Sequence, residues 1–205
     1  MNLLRDLNKI DFFLFFVFSL LTSYLIQNFF IPHEDASILF RYSENFATNG
    51  VISYNINGNP TEGATDFLWM ILLSLFYFLG FNTFFASILI NLLSLYFIAK
   101  LLKNYYSLTK FEFYLIIFFH FSLSQMYAAL GGFSVIFVEL ILVLLIISFL
   151  RQNVFNTLLF SFIGCLVRPD FFLFILVPNI INLISNFNFK NIKLYLIFIL
   201  LGLFY

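Results

Sequence analysis

The sequence predicts an all-α polytopic membrane protein, a bundle of transmembrane helices whose long first external loop carries juxtamembrane helices. Three observations predict it. The 205 residues are 62% hydrophobic and only 10% charged, with a mean hydropathy of +1.01, whereas soluble domains carry about 25% charged residues. Apolar runs near spanning length recur along the whole chain. Five carboxylates and one arginine crowd into a single polar stretch from Pro32 to Asp66. Residues 1–205 read as one transmembrane domain without internal repeats.

Each element follows in order. Arg5 and Lys9 precede the apolar run Phe12–Ile31. The run is too long for the core of a signal peptide and no small-residue cleavage site follows, so it is expected to stay as an anchor. Asp35–Asn49 reads as a short helix, because Ile38, Leu39, Tyr42 and Phe46 recur at helical spacing. Asp35 is its expected N-cap and Asn49-Gly50 its stop. Val51–Asn55 reads as an extended, strand-like piece, and Asn57-Gly58-Asn59-Pro60 as a turn. Phe67–Leu79 has 13 residues, short for a span and suited to a re-entrant or interfacial helix, with Trp69 as an interfacial anchor. Further spans are expected at Thr83–Leu102, Phe111–Tyr127, Phe133–Leu150, Val154–Val167 and Phe171–Ser185. The last run, Leu194–Tyr205, has 12 residues against the roughly 20 that cross ~30 Å of hydrocarbon. A chain truncated within a span is the expectation there.

Charge decides the topology. If Phe67–Leu79 does not cross, eight basic residues (Arg5, Lys9, Lys100, Lys103, Lys110, Arg151, Lys190 and Lys193) fall on one face, against Arg41 and Arg168 on the other. If it crosses, the same inward N-terminus leaves three inside and seven outside. The positive-inside rule prefers the first arrangement. The expectation is a multi-pass protein of the inner (plasma) membrane, N-terminus cytoplasmic, with residues 32–82 outside. Glu34, Asp35, Glu44, Glu62, Asp66 and Asp170 then share the external face with only two cations.

Net charge is zero and no basic patch or stripe exists, so nucleic acid is excluded as a partner. The single Cys165 forms no internal disulfide and reads as a small buried hydrophobe. Walker loops, dinucleotide fingerprints, zinc spacings and nucleophile elbows are all missing. That favours a lipid-carried donor over a soluble nucleotide. Adjacent carboxylates such as Glu34 and Asp35 can deprotonate a hydroxyl or hold a divalent cation, or can simply be a solvated helix start. Arg41 and Arg168 suit bidentate phosphate contact, although Arg168 can equally pair with Asp170 or snorkel to headgroups. Glu62 and Asp66 precede a helix, where acidic groups are favourable in any case. Glu139 lies inside a span and is a functional candidate by cost alone. His120 reads as a packed core residue, and His33 as a candidate ligand or base.

Glu34-Asp35, then Phe40-Arg41-Tyr42, then Glu62-Gly63-Ala64-Thr65-Asp66-Phe67-Leu68-Trp69 form a pattern that resembles polytopic glycosyltransferases of the GT-C superfamily. It is most similar to the branch containing terminal arabinofuranosyltransferases of actinobacterial cell walls. Arg168-Pro169-Asp170 resembles the later Arg-Pro-acid signature of that branch. Two departures stand out. Glu34 replaces the usual first aspartate, and Gly131-Gly132-Phe133-Ser134 lacks the acid of a Gly-Leu-Glu-Thr-like motif. Members of the family also run well beyond this length. The resemblance implies a GT-C-like bundle and a polyprenyl-phosphate sugar donor held in membrane lipid. It further implies transfer with inversion to a cell-envelope glycan or lipid acceptor. Asp35 or Glu34 would be the base. Arg41, Arg168 or a divalent ion (magnesium or manganese, on Glu34 and Asp35) would stabilise the departing phosphate. Tyr42, Glu62, Asp66 and Asp170 would line the substrate and phosphate site. The alternatives are a transporter, and a truncated membrane scaffold without catalysis.

Overall fold

Apolar runs with few helix breakers fold as helices, and the computed structural model is all-helical. It describes residues 9–56, 65–121, 124–185 and 189–203, and no strand occurs among them. It divides into two compact units, Met1–Phe137 and Val138–Tyr205.

Two helices are long and apolar enough to cross a membrane: α1 (Lys9–Phe29, 21 residues) and α4 (Thr83–Tyr106, 24 residues). At 1.5 Å per residue they extend about 32 and 36 Å. They pack antiparallel, Phe12 near the start of α1 lying 5.5 Å from Tyr96 in the second half of α4. The buried residues of α1 are Ser19 and Ser23, whose hydroxyls donate to the carbonyls of Phe15 and Ser19. These small, internally bonded side chains let the helices approach closely. Phe13, Leu14, Phe18, Leu21 and Leu25 of α1 remain exposed, and an apolar face of that extent needs lipid or another apolar surface against it.

α2 spans Glu34–Asn49 and begins one residue before the expected start. His33, not Asp35, occupies the cap position, in extended geometry (ψ 148) and without a side-chain capping bond. The reason is a tertiary tie. The His33 N–H donates to the Gly131 carbonyl (3.0 Å), while the His33 carbonyl accepts from the Ser37 N–H (2.9 Å). Asp35 therefore stands in the first turn. Gly50 ends α2 as expected, at φ 68 with its N–H on the Phe46 carbonyl. The expected strand-like piece after it is irregular instead. It has no partner strand, and Asn45 Nδ2 holds it by donating to the carbonyls of Ser53 (2.8 Å) and Tyr54 (2.9 Å). The turn expected at 57–60 lies outside the described residues.

α3 covers Phe67–Phe78, 12 residues packed on α2 and about 18 Å long, too short to cross. Trp69 is not an interfacial anchor. It is fully buried, its ring 5.5 Å from that of Phe137. Gly80, at φ 90, turns the chain directly into α4, which is capped by Asn82 Oδ1 accepting from the N–H groups of Phe84 and Phe85.

The remaining helices are α5 (Lys110–Phe121), α6 (Ser124–Leu130), α7 (Val135–Leu150), α8 (Val154–Val167), α9 (Phe172–Ser185) and α10 (Phe189–Leu203). The span expected at Phe111–Tyr127 is thus two helices, α5 and α6. No helix other than α1 and α4 reaches 18 residues among the described ones. Within the second unit, α8 packs against α9 and α10.

Candidate functional site

The first unit carries charge at both ends of its α1–α4 pair. At the start of α4, Glu44 Oε1 accepts from the Thr83 hydroxyl (3.0 Å). At the opposite end Lys110, opening α5, pairs with Asp11 at the start of α1 (3.5 Å), and Lys103 in the last turn of α4 lies over the Phe113 ring. Lysines therefore gather at one end of the α1–α4 pair together with Asp11 and Glu112, and the other end carries Glu44.

At the carboxylate end, Glu34 and Asp35 occupy the first turn of α2, exposed to solvent. A helix N-terminus favours negative charge there. Among the described residues neither takes part in an ion pair. Arg41 lies about 10 Å further along the helix on the same stripe as Glu34, whereas Asp35 is rotated from Glu34 by about 100°. Arg41 is exposed too, and Tyr42 is buried at 2% exposure with its ring 6.1 Å from Tyr54.

The turn between α6 and α7 is built against this start. A Cβ at Gly131 would strike the His33 ring, and one at Gly132 (φ 109) would lie 2.6 Å from Phe40 Cζ and 3.0 Å from Ala36 Cβ. His33 meets Tyr127 edge-on (5.1 Å) and Phe133 at a tilt (5.5 Å), so it packs as part of this seam. Two residues on, the Ser134 hydroxyl donates to Asp66 Oδ2 at 2.9 Å. The structure thus joins three distant stretches, 33–36, Asp66 and 131–134. The last lacks an acid of its own, and its hydroxyl is bonded to the carboxylate of Asp66.

Asn91 ties this assembly to α4. It is buried, Nδ2 donating to the carbonyls of Phe133 (2.7 Å), Ser87 (3.0 Å) and Ala129 (3.3 Å), and Oδ1 accepting from the Phe137 N–H (3.2 Å). Sequence reasoning missed both Asn91 and Ser134. The available signal was an amide inside an otherwise apolar span, which needs internal partners.

Arg168, Pro169 and Asp170 belong to the second unit. Pro169 opens a 3-10 turn, and the Arg168 fork closes on Asp170, Nε to Oδ1 at 3.0 Å and Nη2 to Oδ2 at 3.1 Å. The pair is exposed, so it stabilises little. Phe171 is buried, its ring seated where Gly164 carries no side chain. Glu139 is half-buried in α7, and His120 Nδ1 lies 2.9 Å from the Ile116 carbonyl one turn back. Glu62 lies outside the described residues.

Among the described residues no three histidine, cysteine or carboxylate side chains converge, and adjacent helix positions such as Glu34 and Asp35 diverge by about 100°. The fold and site define an all-helical protein with two helices of membrane-crossing length and an exposed carboxylate pair at a helix start. No protein family, curated protein or solved structure matches the chain.

Proposed function

We propose that the chain is a polytopic membrane glycosyltransferase of the GT-C type. It would transfer a sugar from a polyprenyl-phosphate donor to a cell-envelope glycan or lipid acceptor at the outer face of the plasma membrane. The lysine end of α1 and α4 is cytoplasmic in this reading, and the carboxylate end faces the lipid-linked donor. The observation that carries it is the Glu34–Asp35 pair: exposed, outside any ion pair among the described residues, and fixed by the tie of His33 to Gly131. One of the two carboxylates removes the acceptor's hydroxyl proton. The acceptor oxygen attacks the anomeric carbon from the face opposite the phosphate. The sugar–phosphate bond breaks with inversion, and polyprenyl phosphate leaves. Arg41, on the stripe of Glu34, supplies the cation for the departing phosphate.

The test is the surface-glycan and glycolipid profile of a deletion strain. It is complemented at matched membrane abundance with wild type, Glu34→Gln, Asp35→Asn, or both together. General-base catalysis contributes about 10²–10⁴ in rate. The expected result is that wild type restores a missing sugar and the double variant does not, with one single variant as defective as the double. Restoration by the double variant overturns the reading.

A further inference from the structure

Where α4 ends and α5 begins, two ammonium groups rest on two neighbouring rings. Lys103 Nζ lies 5.4 Å from the centre of the Phe113 ring, and Lys110 Nζ lies 5.9 Å from that of Tyr114. The two rings meet edge to face at 5.3 Å, so the ring pair keeps both cations on one patch. A cation over an aromatic face is held there electrostatically, and an ammonium with three donors still has N–H groups to offer an anion.

The carboxylates at this end do not neutralise both lysines. Asp11 of α1 pairs with Lys110 at 3.5 Å, and the Lys110 side chain keeps 60% of its surface exposed. Glu112 is turned to the start of its own helix, Oε2 accepting from the Thr109 N–H (2.7 Å) and hydroxyl (2.8 Å). Half-buried Lys103 has no carboxylate partner among the described residues. Lys9, at the start of α1, is exposed and adds positive charge, while Lys100 is buried one turn before Lys103.

Beyond the lysines α5 turns apolar side chains outward. Phe111, Tyr114 and Phe118 stand at i, i+3 and i+7 on one stripe, and they are 70%, 47% and 67% exposed. α1 runs alongside, with Asp11 beside Lys110 at one end and Phe18 6.3 Å from Phe121 at the other. From Lys110 to Phe121 the track extends about 16 Å. A cationic head followed by an apolar track complements an anionic head carrying a hydrocarbon chain. A soluble phosphate would leave the stripe uncovered, and a zwitterionic head would bring its own cation against the lysines.

We propose that the α1–α5 surface at the lysine end binds an anionic phospholipid, its phosphate held by Lys103 and Lys110 and an acyl chain lying along Phe111, Tyr114 and Phe118. Asp11 competes with the phosphate for Lys110. The site rests on α1 and α4 crossing a bilayer and is independent of the glycosyl-transfer reading.

The test uses the purified full chain, reconstituted in vesicles of equal dioleoyl-phosphatidylglycerol and dioleoyl-phosphatidylcholine and re-extracted in mild detergent. Native mass spectrometry reads the retained lipid. Phosphatidylglycerol should be retained about tenfold over phosphatidylcholine. A basic residue near an anionic membrane surface contributes about fivefold in affinity. Lys103→Gln with Lys110→Gln should therefore lower phosphatidylglycerol retention by roughly 25-fold, and Lys103→Arg with Lys110→Arg should keep it. Asp11→Asn should raise it, the reverse of what losing a merely structural ion pair would do. Arg151→Gln with Lys193→Gln removes the same charge from the second unit and should leave it unchanged. Equal retention of the two lipids overturns the proposal. So does an equal fall in the Arg151 and Lys193 pair, which would mean unspecific charge attraction. Displacement by millimolar sn-glycerol 3-phosphate also overturns it, since the site would then take a soluble phosphate. The lipid comparison on the wild-type chain decides without any variant.

Discussion

Asn91 is the residue on which the carboxylate end depends most. Its amide answers backbone groups from three places: α4 itself, the end of α6 and the start of α7. Leucine at this position keeps the volume and leaves the Phe133 carbonyl and the Phe137 N–H without the Asn91 amide. Asn91→Leu should lower stability by roughly 2–4 kcal/mol, at about 1–3 kcal/mol per unsatisfied group. The thermal midpoint of the purified chain in detergent measures it. Glycines 131 and 132 give a sharper contrast. Gly131→Ala meets the His33 ring, so a His33→Ala/Gly131→Ala pair should recover stability relative to the Gly131 variant. Gly132→Ala should not be rescued by His33→Ala, because its clash is with Phe40 and Ala36 and its φ of 109 strains any side chain. None of this was legible in the sequence. A glycine pair reads as a turn, and a turn does not announce which distant ring it admits.

At the scale of elements, the sequence was most readable where a run was bounded by its own punctuation. α8 occupies Val154–Val167, as expected, between Asn153 and the Arg168-Pro169 break. α2 stops at Gly50 as expected and starts one residue early. Its first residue was set by the bond from His33 to Gly131, a contact across 98 positions that local capping rules do not contain. α3 starts as expected and ends one residue early, at Phe78, but the role of Trp69 was misread. An aromatic near the end of a short apolar helix fits an interfacial anchor equally well until the helix is packed on α2 and Phe137. Two outcomes follow for this sole tryptophan. Its emission should be blue-shifted and poorly quenched by acrylamide, and Trp69→Ala should cost about 3–5 kcal/mol, the range for emptying a buried aromatic site. An exposed interfacial tryptophan would be quenched readily and lost at small cost. The span expected at Phe111–Tyr127 divided into α5 and α6, since hydropathy counts apolar residues and does not see where hydrogen bonding between turns ends.

For the whole molecule, helical class was written in composition, and Lys103 and Lys110 fall at the end of the α1–α4 pair opposite Glu44. The membrane orientation proposed from that placement has a direct readout. In a Cys165→Ser background, Asp35→Cys should react with a membrane-impermeant maleimide added outside intact cells. Lys103→Cys should react only after the membrane is opened. Labelling of both from one side would remove the proposed topology and the reaction site with it.

The ties of the carboxylate end all run forward along the chain, from His33 to Gly131 and from Asp66 to Ser134. Ribosomes add about 5–20 residues per second, so the partners of His33 and Asp66 are made roughly 3–20 s after them. In that interval α2 can already pack on α3 and Glu44 can bond Thr83, but His33 and Asp66 lack their partners until Ser134 is made. Assembly of this end is thus timed by translation, and slowing the ribosome between codons 70 and 135 lengthens the period in which the segment is open to proteases.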